Sequence, residues 1–191
     1  MLLKNKTAVV TGCNRGIGKK ILEVFSANGA TIFACVRNIT EEFKTSLNDI
    51  KKKFNNQIIP IQFDLNDEKQ IKEAANNILS SSPSIDILVN NAATIHTALF
   101  QMTSIKKLKE VFETDFFSQT IFTQYILKSM IKKKAGSILY ISSSSALDGN
   151  EGRSAYSSAK AAMITQAKVL SREVGIYNIR VNAIAPGLTN T

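Results

Sequence analysis

An apolar run leads directly into three closely spaced glycines in the stretch Thr7-Ala-Val-Val-Thr11-Gly12-Cys13-Asn14-Arg15-Gly16-Ile17-Gly18. We predict a buried strand over Thr7–Thr11 and a helix that begins near Ile17. Glycines between a strand and a helix let the backbone turn tightly and approach a ligand closely. The unpaired N–H groups and the dipole of the helix N-terminus favour an anion. The spacing Gly-x-x-x-Gly-x-Gly therefore predicts a phosphate-binding turn, and a tight turn without a ligand is the alternative.

The rest of the chain repeats this alternation of strand and helix. Apolar, β-branched runs predict further strands at Thr31–Val36, Ile58–Phe63, Ile85–Asn90, Ser137–Ile141 and Ile179–Ala185. Helical patterns lie near Ile17–Asn28, Glu41–Phe54, Glu68–Ser80, Ile105–Lys133 and Tyr156–Gly175. Continuous apolar runs are typical of buried parallel strands, and strict alternation places helices on both faces of one sheet. We predict a single α/β domain over residues 1–191, with a Rossmann-type, doubly wound parallel sheet.

Composition excludes several classes of protein. The chain is 44% hydrophobic and 20% charged, as a folded globular domain is. Its first residues, Met1-Leu-Leu-Lys-Asn-Lys6, run at once into the first strand without a secretory signal, and no apolar stretch is long enough to span a membrane. We therefore expect a cytoplasmic protein. Two cysteines, Cys13 and Cys35, do not make a disulfide framework, and we expect them only to fill space. With one histidine, His96, a zinc site is hard to assemble. Nothing places His96 against an activated serine, so we expect a loop residue without a chemical role instead of a member of a Ser-His-Asp triad.

The formal net charge of +9 raises the question of nucleic-acid binding. The lysine clusters lie at predicted helix ends and on helix faces, as in Lys51–Lys53 and Lys132–Lys134. No aromatic residues are interleaved with them, so a solvated surface is the better interpretation and we expect no nucleic-acid partner. The charge can still steer an anionic substrate, a cofactor or an acidic carrier protein.

The end of the second strand carries an arginine instead of an acid. An acidic residue at this position binds the adenosine ribose hydroxyls of NAD. Here the position holds Arg37, and Arg15 lies in the glycine turn. Two guanidinium groups near one ribose suit a 2′-phosphate. The sequence predicts NADP(H) as cofactor, and a solvated strand-end Arg37 is the alternative.

A second decisive segment, Ser154-Ala-Tyr156-Ser-Ser-Ala-Lys160, opens the last predicted helix. Tyr156 and Lys160 are four residues apart and share a helical face, where an ammonium group would lower the phenol pKa from about 10. Upstream, Ser143 follows the strand Ser137–Ile141 at the sheet edge where ligands bind. A Tyr-x-x-x-Lys pair alone can be a surface pair, but the agreement of serine, tyrosine, lysine and glycine turn indicates a catalytic site.

On these residues the chain resembles the classical branch of the short-chain dehydrogenase/reductase family over essentially its whole length. The resemblance implies that Asp64-Leu65 contacts the adenine and that Pro186-Gly187 lies beside the nicotinamide. Asn90-Asn91-Ala92-Ala93 resembles the family's motif after the fourth strand. The implied cofactor contacts are Gly12, Asn14, Arg15, Gly16, Ile17, Gly18, Arg37, Asp64, Leu65, Asn91, Ala92, Tyr156, Lys160, Pro186 and Gly187.

The resemblance also implies an activity, the NADPH-dependent reduction of a carbonyl to an alcohol. Ser143 would orient the carbonyl oxygen, Tyr156 would donate the proton, and Lys160 would bind the nicotinamide ribose. The run Arg180–Gly187 is typical of 3-oxoacyl-acyl-carrier-protein reductases, although sugar, steroid and small-alcohol reductases share it. Relatives form dimers or tetramers, so we expect a homodimer or homotetramer for the full-length protein. A non-catalytic NADP-binding sensor or scaffold is the alternative.

The chain departs from the family pattern in three places. Ala93 replaces a glycine, which adds a methyl group near the cofactor. Asp115 replaces a catalytic asparagine that helps hold a water in the proton relay; an aspartate accepts those hydrogen bonds, and its charge can pair with Lys160. The sequence stops at Thr191, whereas relatives continue through a substrate-covering helical segment and a seventh strand. We therefore expect the lid and the final strand to be missing from this chain.

Overall fold

Buried β-branched runs form one parallel sheet in the computed structural model, which describes residues 1–189. Within these residues the strand order is β3-β2-β1-β4-β5-β6. The strands are β1 (Thr7–Thr11), β2 (Thr31–Val36), β3 (Ile58–Gln62), β4 (Ile87–Asn90), β5 (Gly136–Ile141) and β6 (Ile179–Ile184). The predicted Rossmann-type α/β domain is confirmed. Positions 190 and 191 of the predicted domain lie outside the described residues.

Helices connect the strands and cover both faces of the sheet. They are α1 (Gly16–Ala27), α2 (Glu41–Phe54), α3 (Glu68–Ser81), α4 (Ile105–Phe112), α5 (Ser118–Lys133), α6 (Ser145–Asp148) and α7 (Ser154–Val174). Short 3₁₀ turns occupy Phe100–Met102 and Gly175–Tyr177. None of the helices within residues 1–189 has the length and apolarity needed to cross a bilayer.

The single helix predicted over Ile105–Lys133 is interrupted. A π-helical segment, Glu113–Phe117, separates α4 from α5, and Asp115 is the buried residue within it. Such widened turns are frequent at functional sites because they redirect individual side chains. Apolar periodicity does not distinguish a π turn from the α-helix around it, so the prediction missed this interruption.

The core has two layers, one on each face of the sheet. On one face, side chains of α1 and α2, such as Leu22 and Leu47, pack against Ile32 and Val89. On the other face, α3, α5 and α7 pack against neighbouring strand residues such as Phe33. Neighbouring positions along a strand therefore face opposite layers, and both faces are apolar, as a parallel sheet requires.

The topology places a crevice at one edge of the sheet. The chain order reverses between β1 and β4, where the connections leave towards opposite sides. Ligands of open α/β sheets bind beyond the carboxyl ends of the strands at such a point. The segments that follow β1, β2, β4 and β5 therefore meet at this edge.

Candidate active site

A cleft of about 820 Å³ runs along the carboxyl edge of the sheet. It is lined by every residue that the sequence predicts to contact the cofactor: Gly12, Asn14, Arg15, Gly16, Ile17, Gly18, Arg37, Asp64, Leu65, Asn91, Ala92, Tyr156, Lys160, Pro186 and Gly187. Ser143 also lines it, whereas Asp115 lies buried behind the wall. No cluster of three or more His, Cys, Asp or Glu side chains within residues 1–189 could hold a metal ion.

The glycine turn forms a cradle that has no room for a side chain at Gly12 or Gly18. Gly12 has a φ of +64°, and a Cβ there would lie 2.6 Å from the Cα of Ala92. A Cβ on Gly18 would lie 2.2 Å from the carbonyl oxygen of Gly12. The Asn91 amide donates to the carbonyl oxygens of Thr11 and Gly12, at 3.0 and 2.8 Å, which fixes the turn against the end of β4. This shape fits a pyrophosphate at the N-terminus of α1.

One end of the cleft is rich in guanidinium groups. Arg15 and Arg37 are exposed and line this end, and neither forms an ion pair with a carboxylate within residues 1–189. Asp64 is the one acidic side chain among the described residues that line the cleft. Its Oδ1 accepts from the N–H of Asn66 at 2.9 Å, which shapes the loop after β3.

The other end of the cleft brings together the three predicted catalytic side chains. Ser143 follows β5, and its Oγ accepts from the N–H of Ser145 at 3.2 Å. Tyr156 and Lys160 lie in the cleft wall on one face of α7. Lys160 Nζ lies over the Tyr156 ring, 5.7 Å from its centroid, and donates to the carbonyl oxygen of Ile141 at 3.0 Å. The serine, phenol and ammonium groups therefore converge at the end of β5.

The comparisons with known proteins agree with this geometry. The family model for short chain dehydrogenases matches residues 6–191. The chain belongs to the short-chain dehydrogenase/reductase family. It is 35% identical over 190 residues to the 3-oxoacyl-[acyl-carrier-protein] reductase FabG of Chlamydia trachomatis serovar D, covering 100% of this chain and 76% of that protein.

Solved structures show the same architecture. A short-chain dehydrogenase from Streptomyces avermitilis matches with a TM-score of 0.89 and 30% identity, over 97% of this chain and 66% of that chain. A structure from Beutenbergia cavernae, named as an NAD(P) dependent gluconate 5-dehydrogenase with NADP bound at low occupancy, matches with a TM-score of 0.90 and 28% identity. This second match covers 97% of this chain and 73% of the Beutenbergia cavernae chain. This short-chain dehydrogenase is thus an oxidoreductase of a family that binds a nicotinamide cofactor.

The ionisation of Tyr156 differs from the sequence prediction. Burial raises the pKa of Tyr156 above its ordinary value, and the negative charge of Asp115 adds to the rise. Hydrogen bonding with Ser143 and the positive charge of Arg153 lower the pKa in opposition. The prediction that the pKa of Tyr156 is lowered is wrong, because burial of the phenol and the negative charge of Asp115 outweigh the groups that lower it.

The predicted pairing of Asp115 with Lys160 is confirmed. Asp115 Oδ2 lies 3.7 Å from Lys160 Nζ, and the two side chains are 0% and 1% exposed. Burial raises the pKa of Asp115 to about 6, and the charge of Lys160 opposes that rise. Burial also lowers the pKa of Lys160, and Asp115 opposes that change. This dehydrogenase therefore carries a buried pair of opposite charges beside the cleft.

Ala93, the two cysteines and His96 lie outside the group of converging catalytic side chains. Ala93 is exposed in the cleft wall and does not have a positive φ, so the backbone does not require a glycine there. Cys13 and Cys35 are buried, and burial raises the pKa of the Cys13 thiol to about 12. Both buried cysteines fill space in the core. His96 lies in the loop after β4.

Sequence reasoning missed three residues that hold the site together. Thr11 Oγ1 accepts from the N–H groups of Asn91 and Ala92, at 3.0 and 3.1 Å. Ser142 Oγ donates to the carbonyl oxygen of Lys160 at 2.8 Å, which ties the end of β5 to α7. The N–H of Thr94 donates to Asp115 at 2.6 Å. All three follow or end a strand at the carboxyl edge, and that position is the signal that could have identified them.

Proposed function

We propose that the protein is an NADPH-dependent carbonyl reductase that acts on 3-oxoacyl thioesters carried by an acyl-carrier protein. The observation that carries this proposal is the convergence of Ser143, Tyr156 and Lys160 at one end of a cleft whose other end is a phosphate cradle. The relative from Chlamydia trachomatis, named as a 3-oxoacyl-[acyl-carrier-protein] reductase, supports the choice of substrate.

The preference for NADPH rests on charge. Arg15 and Arg37 line the cleft beyond the glycine turn, and Arg37 occupies the position where an acid would select NAD. Two guanidinium groups there can bind a 2′-phosphate through strong, directional hydrogen bonds. NADH has no 2′-phosphate for these groups to bind, so its affinity for the protein should be lower than that of NADPH.

The proposed chemistry divides among three side chains. Reduced nicotinamide would supply a hydride to the carbonyl carbon of the substrate. Ser143 hydrogen-bonds the carbonyl oxygen and orients it, and Tyr156 donates a proton to that oxygen. The pKa of Tyr156 lies above its ordinary value, so the phenol carries a proton at neutral pH that it can donate. Lys160 would bind the nicotinamide ribose, and its positive charge lies over the ring of Tyr156.

Apolar side chains around the mouth suit an acyl substrate. Ile95 lines the cleft and is exposed. Leu147, four residues after Ser143, and Leu188, the residue after the lining residue Gly187, are also exposed. These exposed apolar groups could contact an acyl chain, and the net charge of +9 suits an acidic carrier protein.

We also propose that the protein forms a homodimer or homotetramer. An apolar groove of about 600 Å³ lies between α5 and α7 and includes Phe116, Leu127, Val169 and Leu170. A second copy of these helices could fill it. Light scattering of the purified protein tests this proposal, and a monomer at all concentrations would contradict it.

The second candidate is a non-catalytic NADP-binding sensor. The buried pair of Asp115 and Lys160 favours it, because the carboxylate competes for the ammonium that would act on Tyr156. An assay of NADPH binding and NADPH oxidation separates the two candidates, since a sensor binds the cofactor but does not reduce a ketone.

The test is NADPH oxidation by the purified protein with an acetoacetyl thioester, with Tyr156→Phe as the matched variant. The variant keeps the ring and loses only the hydroxyl, so it should bind NADPH normally. We expect its rate to fall by roughly 10²–10⁴-fold. A variant as fast as the wild type would remove Tyr156 from the chemistry, and a wild type that binds NADPH without turnover would favour the sensor.

A further inference from the structure

Asp115 is a buried charge that the proposed mechanism does not use. It lies in the π-helical segment Glu113–Phe117 and is 0% exposed. Its two carboxylate oxygens face different partners. Oδ1 accepts from the N–H of Thr94 at 2.6 Å, whereas Oδ2 lies 3.7 Å from Lys160 Nζ and has no hydrogen-bond partner within the described chain.

One oxygen, Oδ1, therefore holds a wall residue of the cleft in place. The loop after β4 is held at Thr94 by Asp115 and at Ala92, whose carbonyl oxygen accepts from Gln119 Nε2 at 2.6 Å. Ala92, Ala93 and Thr94 all line the cleft. The π-helical segment and the start of α5 thus position the loop that faces the cofactor site.

The other oxygen acts on the catalytic lysine. Lys160 is 1% exposed, and a buried ammonium with no opposite charge would tend to lose its proton. The carboxylate at 3.7 Å opposes that loss, because Coulomb interactions are strong in a poorly solvated interior. Asp115 also acts on Tyr156, whose pKa its negative charge raises and the positive charge of Arg153 lowers. Asp115 is thus the described carboxylate that stabilises the charged form of Lys160.

We propose that Asp115 is a positioning residue with two separable roles: its charge holds Lys160 as an ammonium ion, and its Oδ1 anchors the loop at Thr94. The first role sets the upper pH limit of carbonyl reduction. Without the carboxylate, Lys160 loses its proton at lower pH, and Tyr156 also loses a neighbouring negative charge that keeps its phenol protonated. Both changes move the alkaline limb of the rate–pH profile in the same direction, towards lower pH. The proposal rests on the proposed function only where it concerns the rate.

Two variants separate the roles. Asp115→Asn keeps an oxygen that can accept from Thr94 but removes the charge and turns an amide group towards Lys160. Asp115→Ala removes both. Glu113→Gln is the matched control, since it removes the same charge from an exposed position in the same π-helical segment.

The primary measurement is the titration of Lys160 by NMR of ¹³C-labelled lysine, with the signal assigned by its absence in Lys160→Met. We expect the midpoint to fall by roughly one to three pH units in Asp115→Asn and Asp115→Ala. It should not move in Glu113→Gln. An unchanged midpoint in Asp115→Asn would overturn the first role.

Amide hydrogen exchange tests the anchoring role. The Thr94 N–H should exchange faster in Asp115→Ala than in the wild type, and Asp115→Asn should retain most of the protection. Equal exchange in the wild type and Asp115→Ala would overturn this role.

The rate–pH profile for an acetoacetyl thioester completes the test. The alkaline limb should lie at lower pH in Asp115→Asn than in Glu113→Gln, and coincident profiles would contradict the proposed effect on rate. If even the wild type fails to reduce a carbonyl, the proposed function fails, while the titration and the exchange still decide the two roles of Asp115.

Discussion

The two ends of the cleft are built on different principles. The phosphate end is made of backbone: Gly12 and Gly18 leave no space for a Cβ, and the Asn91 amide holds the turn by hydrogen bonds to carbonyl oxygens. Its charges, Arg15 and Arg37, are exposed. The catalytic end depends on side chains, and two of them, Lys160 and Asp115, are buried charges. The shape of the backbone therefore determines what fits at the phosphate end, and the electrostatics of buried charges determines how the catalytic end behaves.

This difference predicts where substitutions cost most. A buried charge that loses its partner remains in a poorly solvated site, whereas an exposed charge that loses a ligand is still hydrated. Changes at the catalytic end should therefore affect folding as well as chemistry. Changes at the phosphate end should affect binding, except where they add atoms to the glycine cradle.

The largest effect is expected for Lys160→Met. The substitution removes the ammonium group and leaves the Asp115 carboxyl buried without its partner. At about pH 9, where keeping this carboxyl either ionised or protonated is unfavourable, we expect a loss of about 3–5 kcal/mol in the free energy of unfolding. Urea denaturation measures this loss. Lys168→Met is the control, because Lys168 is exposed on the same helix and its substitution should change stability little. Equal effects of the two variants would show that the buried pair contributes nothing.

The second effect is on the pH dependence of stability. Burial raises the pKa of Asp115 from its ordinary 3.8 to about 6, so ionising this carboxyl is harder in the folded protein than in the unfolded chain. The protonated carboxyl therefore stabilises the folded protein relative to the unfolded chain. This stabilisation is fully present below the ordinary pKa of 3.8 and is lost as pH rises through the pKa of about 6 in the folded protein. We expect wild type to lose roughly 3 kcal/mol relative to Asp115→Asn between about pH 4 and pH 7. Parallel stability curves over that interval would contradict the raised pKa.

The sequence predicted the two ends of the cleft unequally well. The bounds of β1, β2 and α2 match the prediction, and the other strand bounds differ by one or two residues, because buried apolar runs and caps are local signals. Spacing also identified the glycine cradle. The π-helical segment and the raised pKa of Tyr156 were not predicted. Both depend on how much of each side chain the folded protein buries, which a one-dimensional pattern does not contain.

The third prediction tests the charges of the phosphate end. Arg37→Ala removes one guanidinium group from the cleft, and we expect NADPH affinity to fall about ten- to a hundredfold, or about 1.5–3 kcal/mol. The affinity for NADH is the internal control and should stay the same, because NADH has no 2′-phosphate. Fluorescence titration of both cofactors gives the result. A similar loss for both cofactors would indicate a damaged fold instead of a lost phosphate contact.

The fourth prediction tests the shape of the phosphate end. A Cβ on Gly18 would lie 2.2 Å from the carbonyl oxygen of Gly12 and 2.5 Å from the Asn91 amide nitrogen, so Gly18→Ala must displace the turn. We expect it to destabilise the protein by about 1–3 kcal/mol and to weaken both cofactors alike. Gly175→Ala is the control, since a Cβ there meets nothing within 4 Å and the φ is −58°. Thermal and urea unfolding compare the stabilities of the two variants. A Gly18→Ala protein as stable as Gly175→Ala would mean that the turn can accommodate a methyl group.

The smallest effect is expected for Ala93→Gly, which restores the residue that the family pattern has after β4. Ala93 is exposed, lines the cleft and does not have a positive φ, so its methyl group strains neither the backbone nor the cradle. The glycine would mainly add conformational freedom to the unfolded chain, which should lower stability by about 0.4–1 kcal/mol. Cofactor affinity should stay the same. A variant that binds NADPH about tenfold more tightly, a gain of about 1.4 kcal/mol, would instead show that this methyl obstructs the cofactor. That result would extend control by shape beyond the phosphate end, into the wall that Asp115 anchors.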